Sequence, residues 1–252
     1  MGYKETFYPE SKFGGFSDMD GTLAFYLRVN ALLTPASVAV DYGCGRGAYG
    51  DDRLPLRREL RILKGKVSRV IGLDIEEAGA TNPFLDEFHL LKGSQWPIVD
   101  NSIDLVVCDS VIEHLEQPQL FFSEAWRSLK PGGYVCIRTP NLWGYVALLS
   151  RLIPNPSHNQ VLSKVKERTN VRDVFPTLYR CNTIPALDRQ MEACGFAHIV
   201  YGFGAEPAYL SFSKIAYWLG VLYQRYAPGF LQPVLFAFGQ KLSESQGAGG
   251  QP

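Results

Sequence analysis

The sequence predicts an α/β fold, an open sheet with helices on it, and three observations carry that prediction. Strand-like β-branched runs alternate with helix-length amphipathic segments, the first such run ends in a glycine-rich turn, and the second ends in a carboxylate. Asp18 or Asp20 is placed to cap an opening helix in which Leu23, Phe25, Tyr26, Val29 and Leu32 recur at three- and four-residue spacing before Pro35. Residues 37–43 form a short strand stopping in glycines, and residues 67–75 (VSRVIGLDI) form a second. Between them, residues 55–64 begin with Pro, which suits the first helical position, and set Leu and Ile on a helical repeat. Strand, helix, strand is a parallel crossover unit.

The alternation continues through strand candidates at 88–91 and 103–108, an amphipathic helix over 117–129, a turn at Pro131, Gly132 and Gly133, and a strand at 134–138. Residues 141–152 read as a helix, 153–182 as irregular, 183–194 as a helix and 198–202 as a strand. Long irregular connections serve as lids or binding loops. One domain is therefore expected over residues 1–242, with a core at 36–140, a lid or substrate insertion at 141–185 between strands 5 and 6, and an apolar element at 205–242. The polar tail 243–252 is expected to be disordered.

Apolar residues make up 46% of the 252, and 25 Lys and Arg balance 25 Asp and Glu, which excludes a disordered or collagen-like chain. Without a basic excess there is no footprint for nucleic acid, so the expected partner is a small molecule. Cys44, Cys108, Cys136, Cys181 and Cys194 are odd in number and show no CxxC pairing, which fits core thiols in a reducing compartment, the cytoplasm. The first residues hold no apolar signal region, so the chain is expected to stay inside the cell; Gly2 and Thr6 match an acylation pattern too short to carry weight. Residues 209–227 are apolar and aromatic but interrupted by Lys214, Gln224 and Arg225, too polar to span a bilayer. Three readings follow in order of preference: a helix packed on the domain, a wall of the substrate pocket, and a membrane-surface face rimmed by Trp218 and Tyr223.

The chemistry is concentrated after the first two strands. In Asp41-Tyr-Gly-Cys-Gly-Arg-Gly47 the glycines let the backbone turn tightly and approach a ligand where a Cβ would clash, although Gly43 to Ala48 also satisfies the dinucleotide pattern. Asp74 closes the second strand, where two acceptor oxygens suit the two hydroxyl donors of a ribose.

These residues resemble the class I S-adenosylmethionine-dependent methyltransferases, in particular the small-molecule, methyltransferase type 11-like branch. Val38 to Gly47 looks like that family's first motif, Val70 to Asp74 its second, and Trp96 to Leu105 the run entering its fourth strand; Val111-Ile-Glu-His-Leu115 and Leu129-Lys-Pro-Gly-Gly133 follow in order. The resemblance implies a Rossmann-like, doubly wound seven-stranded sheet in the order 3-2-1-4-5-7-6, with S-adenosyl-L-methionine over the carboxyl ends of strands 1, 2 and 4. It implies that Gly43, Cys44, Gly45 and Gly47 line the cofactor, that Asp41 braces the loop, and that Asp74 and Ile75 meet the ribose side. The family often has an acid after strand 3 to contact adenine; here residues 91–96 have none, and Gln95, Trp96 or a backbone group stands in its place.

A sulfonium methyl is already activated, so the protein must hold an acceptor in line and exclude water, and no metal is required. A hydroxyl acceptor needs a base, for which His114 is the natural choice. A structural role for His114 stays open, and Asp109 is a competing base or a cofactor contact. Tyr26, Arg28, His158, Tyr179 and Arg180 offer an aromatic wall and cations for a sugar, phenol or carboxylated ligand, or else simply dock the lid. Glu124 and Arg127, three apart on one helix, read as an exposed or capping pair that by itself positions nothing. The expected function is methyl transfer to a small-molecule or glycan acceptor, oxygen favoured. The alternatives are a nicotinamide-dependent oxidoreductase and a non-catalytic S-adenosylmethionine-binding module. The oxidoreductase is weakened because Asp74 lies farther from Gly43 than the roughly 20 residues expected and no Tyr-x-x-x-Lys pair appears.

Overall fold

The computed structural model describes residues 3–152 and 176–243. A short helix α1 (Tyr3–Phe7) precedes α2 (Gly21–Ala31), which starts where it does because the Asp20 carboxylate accepts the amides of Thr22 and Leu23, each at 3.0 Å. Then follow β1 (Val38–Tyr42), α3 (Pro55–Arg61), β2 (Arg69–Asp74), β3 (Glu87–Leu90), β4 (Ile103–Asp109), α4 (Pro118–Ser128) and β5 (Leu129–Pro140). The chain closes with α5 (Tyr145–Leu152), α6 (Ile184–Ala193), β6 (Phe196–Phe203), α7 (Lys214–Tyr226) and β7 (Val234–Lys241).

Seven strands form one sheet in the order β3-β2-β1-β4-β5-β7-β6. The first five are parallel, and β7 runs antiparallel between β5 and β6. This is the Rossmann-like α/β architecture that the sequence predicts. Side chains alternate across the strands, so Val40, Leu73, Val106 and Ile137 face Phe121, Phe122, Leu187 and Met191 on one side. On the other, Ala39, Leu105, Val107 and Phe236 face Phe25, Tyr26 and Val29 of α2. Tyr42 pairs with both Leu73 and Cys108, so β1, β2 and β4 end level and their following loops open on one edge. Strand order reverses at β1, and ligands of open α/β sheets bind outside the strand ends at such a point.

Two local expectations are corrected. Residues Pro131 to Gly133 do not form a turn before the strand; they lie inside β5, where Ile103 pairs with Leu129 but Leu105 with Tyr134, and the surplus is absorbed at Gly132 with φ of 87°. The apolar run 205–242 is not one element but α7 followed by β7. Most of the expected insertion (153–175, including His158) and residues 244–252 of the tail lie outside the described residues. All five cysteines are free thiols. No helix among the described residues is long and apolar enough to cross a membrane.

Candidate functional site

The loop leaving β1 shows why each of its glycines is a glycine. Gly43, Gly45 and Gly47 all adopt positive φ, at 71°, 50° and 75°. A Cβ on Gly43 would lie 2.4 Å from Val111 Cγ2 and one on Gly47 2.5 Å from Asn82 Oδ1, so those two positions are closed by packing. A Cβ on Gly45 would meet nothing within 4 Å. Gly45 therefore presents bare backbone to open space, the arrangement that lets a ligand come against the chain. Its amide donates to Asp74 Oδ2 at 2.8 Å, and Asp74 Oδ1 accepts the Glu76 amide at 2.9 Å. A carboxylate has about four lone-pair positions, so these two bonds leave Asp74 capacity toward a diol. Cys44 contributes backbone only: its thiol is buried against Gly72, and burial pushes it far up from the ordinary range.

Beside Asp74 lies a cleft of about 520 Å³ lined by Tyr42, Ile75, Gly93, Ser94, Trp96 and Gln117, among others. Ile75 is 63% exposed there, while Trp96 is 3% exposed and stacks on Tyr42 at 5.1 Å between ring centroids. Burying the Trp96 indole turns Gln95 out to solvent, and Gln95 is not in the lining; Ser94 and Gln117 supply the polar edge instead. The same loop corrects the reading of Glu124 and Arg127. Glu124 Oε2 accepts the Trp96 amide at 2.7 Å, and Arg127 donates to the carbonyls of Ile98 at 2.8 Å and Trp96 at 3.1 Å. Their mutual bond at 2.7 Å is part of a clamp on the cleft floor.

Beneath the glycine loop sits a charged layer. Asp109, at the end of β4, accepts two bonds of 2.7 Å from Arg138 on β5 and one of 3.0 Å from the Tyr26 hydroxyl. Burial alone would raise the Asp109 carboxyl, but the charge and bonds of Arg138, with Arg61 and Tyr26, hold it below the usual range. A carboxylate held ionised in this way is a weak base, which disfavours the catalytic reading of Asp109. Asp41 is its opposite: burial first, then the neighbouring Asp109 charge, push its carboxyl up to about 7. Asp41, Tyr49, Arg61 and Tyr26 line a void of about 10 Å³, into which the Arg61 guanidinium brings a buried Nε without a hydrogen-bond partner.

Beyond β4, the turn Ile112–His114 carries the remaining polar groups. Glu113 is 3% exposed; its Oε2 accepts the Thr139 hydroxyl at 2.9 Å, and burial raises its carboxyl. His114 Nδ1 lies 3.0 Å from the Pro176 carbonyl oxygen. The Glu113 carbonyl accepts the amides of Leu178 at 2.7 Å and Tyr179 at 3.1 Å, with Tyr179 at φ 52°. Tyr179 thus stands at the site edge, while Arg180 is exposed just beyond it. Tyr26 is buried in the Asp109 network and is not an open substrate wall. Arg28, two residues on, points elsewhere because two helical positions are about 200° apart. It lines an apolar hollow of about 820 Å³ with Tyr134, His198 and Gln240, at the amino end of β5 and away from the site.

The sheet order, the loop with bare backbone at Gly45 and the strand-end carboxylate of Asp74 define a class I, Rossmann-like methyltransferase fold. Comparison agrees. Residues 40–137 match the methyltransferase domain family. A probable S-adenosylmethionine-dependent methyltransferase of Mycolicibacterium smegmatis is 37% identical over 107 residues, 40% of this chain and 37% of that protein. The biotin biosynthesis bifunctional protein BioHC of Teredinibacter turnerae is 30% identical over 110 residues, 40% of this chain and 19% of that one. The chain therefore spans little more than a third of the former relative and about a fifth of the latter. A SAM-dependent methyltransferase of Archaeoglobus fulgidus superposes with a TM-score of 0.53 at 19% identity, covering 92% of this chain and 97% of the other. Geranyl diphosphate C-methyltransferase of Streptomyces coelicolor, solved with S-adenosyl-L-homocysteine, gives 0.52 at 15% identity over 87% of this chain and 77% of that one. Residues 40–137 are thus similar to a methyltransferase domain, and the relatives matched over this part of the chain include one named as S-adenosylmethionine-dependent. The cradle suits S-adenosylmethionine: backbone without a side chain at Gly45, a carboxylate beside it at Asp74, and an apolar and aromatic cleft next to both.

Proposed function

We propose that this protein methylates a hydroxyl group of a small-molecule or glycan acceptor, with His114 as the base. The observation that carries the reading is the bond between His114 Nδ1 and the Pro176 carbonyl at 3.0 Å. A carbonyl can only accept, so Nδ1 keeps the proton and the neutral ring has its lone pair on Nε2. When bound, S-adenosyl-L-methionine supplies a methyl group already activated by its sulfonium. Gly45 and Asp74 hold the donor; the loop at 176–180 and the turn at 112–114 border the acceptor; His114 Nε2 takes the hydroxyl proton as the oxygen–carbon bond forms and the carbon–sulfur bond breaks. Glu113 Oε1 lies 3.9 Å from Nε2, beside the nitrogen that gains the proton. The free thiols support a reducing, cytoplasmic setting.

Incubation with a labelled methyl donor and a panel of sugars, phenols and carboxylated alcohols tests the reading. Product carrying an O-methyl group is expected, and His114→Gln should lower turnover about 10²-fold while leaving S-adenosyl-L-homocysteine affinity within a factor of two. An N- or C-methylated product, or a His114→Gln protein as fast as the parent at every pH, would overturn it.

A further inference from the structure

We propose that α7 docks the protein on the surface of an anionic lipid bilayer. The helix is apolar on two opposite faces. Tyr217, Gly220 and Val221 are buried against the domain, Tyr217 meeting Tyr8 at 6.4 Å and Phe7 at 5.6 Å between ring centroids. At 100° per residue, Ile215, Trp218, Leu219, Leu222 and Tyr226 fall within about 100° of one another on the far side. Four of them are exposed: Ile215 71%, Trp218 47%, Leu219 53% and Tyr226 78%. Phe212 before the helix and Phe230 after it, at 69% and 58%, extend the same kind of surface along the chain. Scattered apolar side chains are ordinary on a protein surface, but a continuous stripe opposite the packed face of a helix is not.

Charge selects the occupant. Lys214 and Arg225 are exposed and lie close together around the helix axis, on the border next to Trp218. Residues 207–243 contain no Asp or Glu at all. A second copy would meet this face in a two-fold interface, setting Lys214 and Arg225 against their own kind with no carboxylate from the segment to answer them. Anionic headgroups answer both cations, and Trp and Tyr rings suit the boundary between headgroups and acyl chains. With 13 residues the helix is about 20 Å long, which suits lying in the surface and is too short to cross. The proposal does not depend on methyl transfer, because lipid binding is read without turnover.

Co-sedimentation of the full chain with phosphatidylcholine vesicles, with and without a third of phosphatidylglycerol, provides the test. Partitioning onto the anionic vesicles alone is expected, weakening as salt is raised. Lys214→Ala and Arg225→Ala should each lower it about fivefold, and Trp218→Ala and Leu219→Glu about tenfold or more, with melting by circular dichroism unchanged. Equal partitioning to neutral and anionic vesicles, no partitioning, or variants that bind like the parent would overturn the proposal. So would a dimer in light scattering that Leu219→Glu dissolves, since a second copy would then cover the face.

Discussion

Arg138 grips Asp109 through two parallel bonds of 2.7 Å across neighbouring strands, where β4 and β5 pair these residues directly. Both side chains are nearly closed off, 14% and 7% exposed, and the Tyr26 hydroxyl adds a third bond from α2. The pair therefore joins α2, through Tyr26 in its second turn and Thr22 in its first, to the centre of the sheet, at the edge where the glycine loop leaves. Removing one partner strands a buried charge, which costs about 3–5 kcal/mol. Arg138→Met should lower stability by that amount in urea denaturation. Asp109→Asn should also lower it at neutral pH, and should flatten the acid limb. The native carboxyl is depressed, so the stability it contributes is present above its unfolded value near 4 and is lost as pH falls through the folded value.

Asp41 gives the opposite sign. Its folded carboxyl is raised to about 7, by burial and then by Asp109. The stabilising contribution of the protonated group is full below the unfolded value near 4 and disappears as pH climbs to 7. Asp41→Asn should therefore gain on the parent between pH 4 and pH 7, by on the order of 1–3 kcal/mol after allowing for the partial opening of the site to water. Chemical denaturation at a series of pH values measures the difference; a gap that is constant with pH would show that Asp41 titrates normally.

Much of this was legible because the signals are local. The β1 run, the glycine turn and Asp74 sit within a single crossover unit, so periodicity and turn chemistry locate them without knowledge of distant contacts. A cap at Asp18 or Asp20 is likewise legible from its position before an apolar repeat, and the amides of Thr22 and Leu23 select Asp20. The Asp109–Arg138 pair could not be read in this way: 29 residues separate the two, and only the β4–β5 register brings them together. Arg28 was misplaced because a helix turns it about 200° from Tyr26, and Gln95 because the neighbouring Trp96 has the stronger claim on the interior. Glycines 132 and 133 carry the same composition as a turn; pairing with β4 at Leu129 and again from Tyr134 keeps them within the strand as its irregular stretch.

The clamp on the cleft floor gives a separate test. Arg127 holds the carbonyls of Trp96 and Ile98 and both oxygens of Glu124, with a further short bond to Asp100. Hydrogen bonds from a charged donor are each worth about 1.5–3 kcal/mol at most when buried, less here at the surface. Arg127→Ala should cost about 1–2 kcal/mol of stability and weaken S-adenosyl-L-homocysteine binding severalfold by loosening the loop under Trp96. Titration calorimetry reads the second effect, and an affinity equal to the parent's would separate the clamp from the cleft.

The glycine loop separates packing from ligand approach within one motif. Gly43→Ala drives a Cβ to 2.4 Å from Val111 and should destabilise the fold by about 2–3 kcal/mol, from overpacking together with a positive φ. Gly45→Ala meets no protein atom, so its stability cost should be only the positive-φ penalty of about 1 kcal/mol. Its effect on the cofactor should be far larger: the methyl occupies space into which bare backbone now faces, and S-adenosyl-L-homocysteine affinity should fall tenfold or more. Asp74→Ala, on the other side of the 2.8 Å bond to the Gly45 amide, should lower affinity to a similar degree, having lost both the loop anchor and the acceptor for a ribose diol. Melting temperature and calorimetric affinity measured on the same three proteins give the comparison. If Gly45→Ala lost stability as Gly43→Ala does but bound the cofactor normally, the middle glycine would be serving the fold and not the ligand.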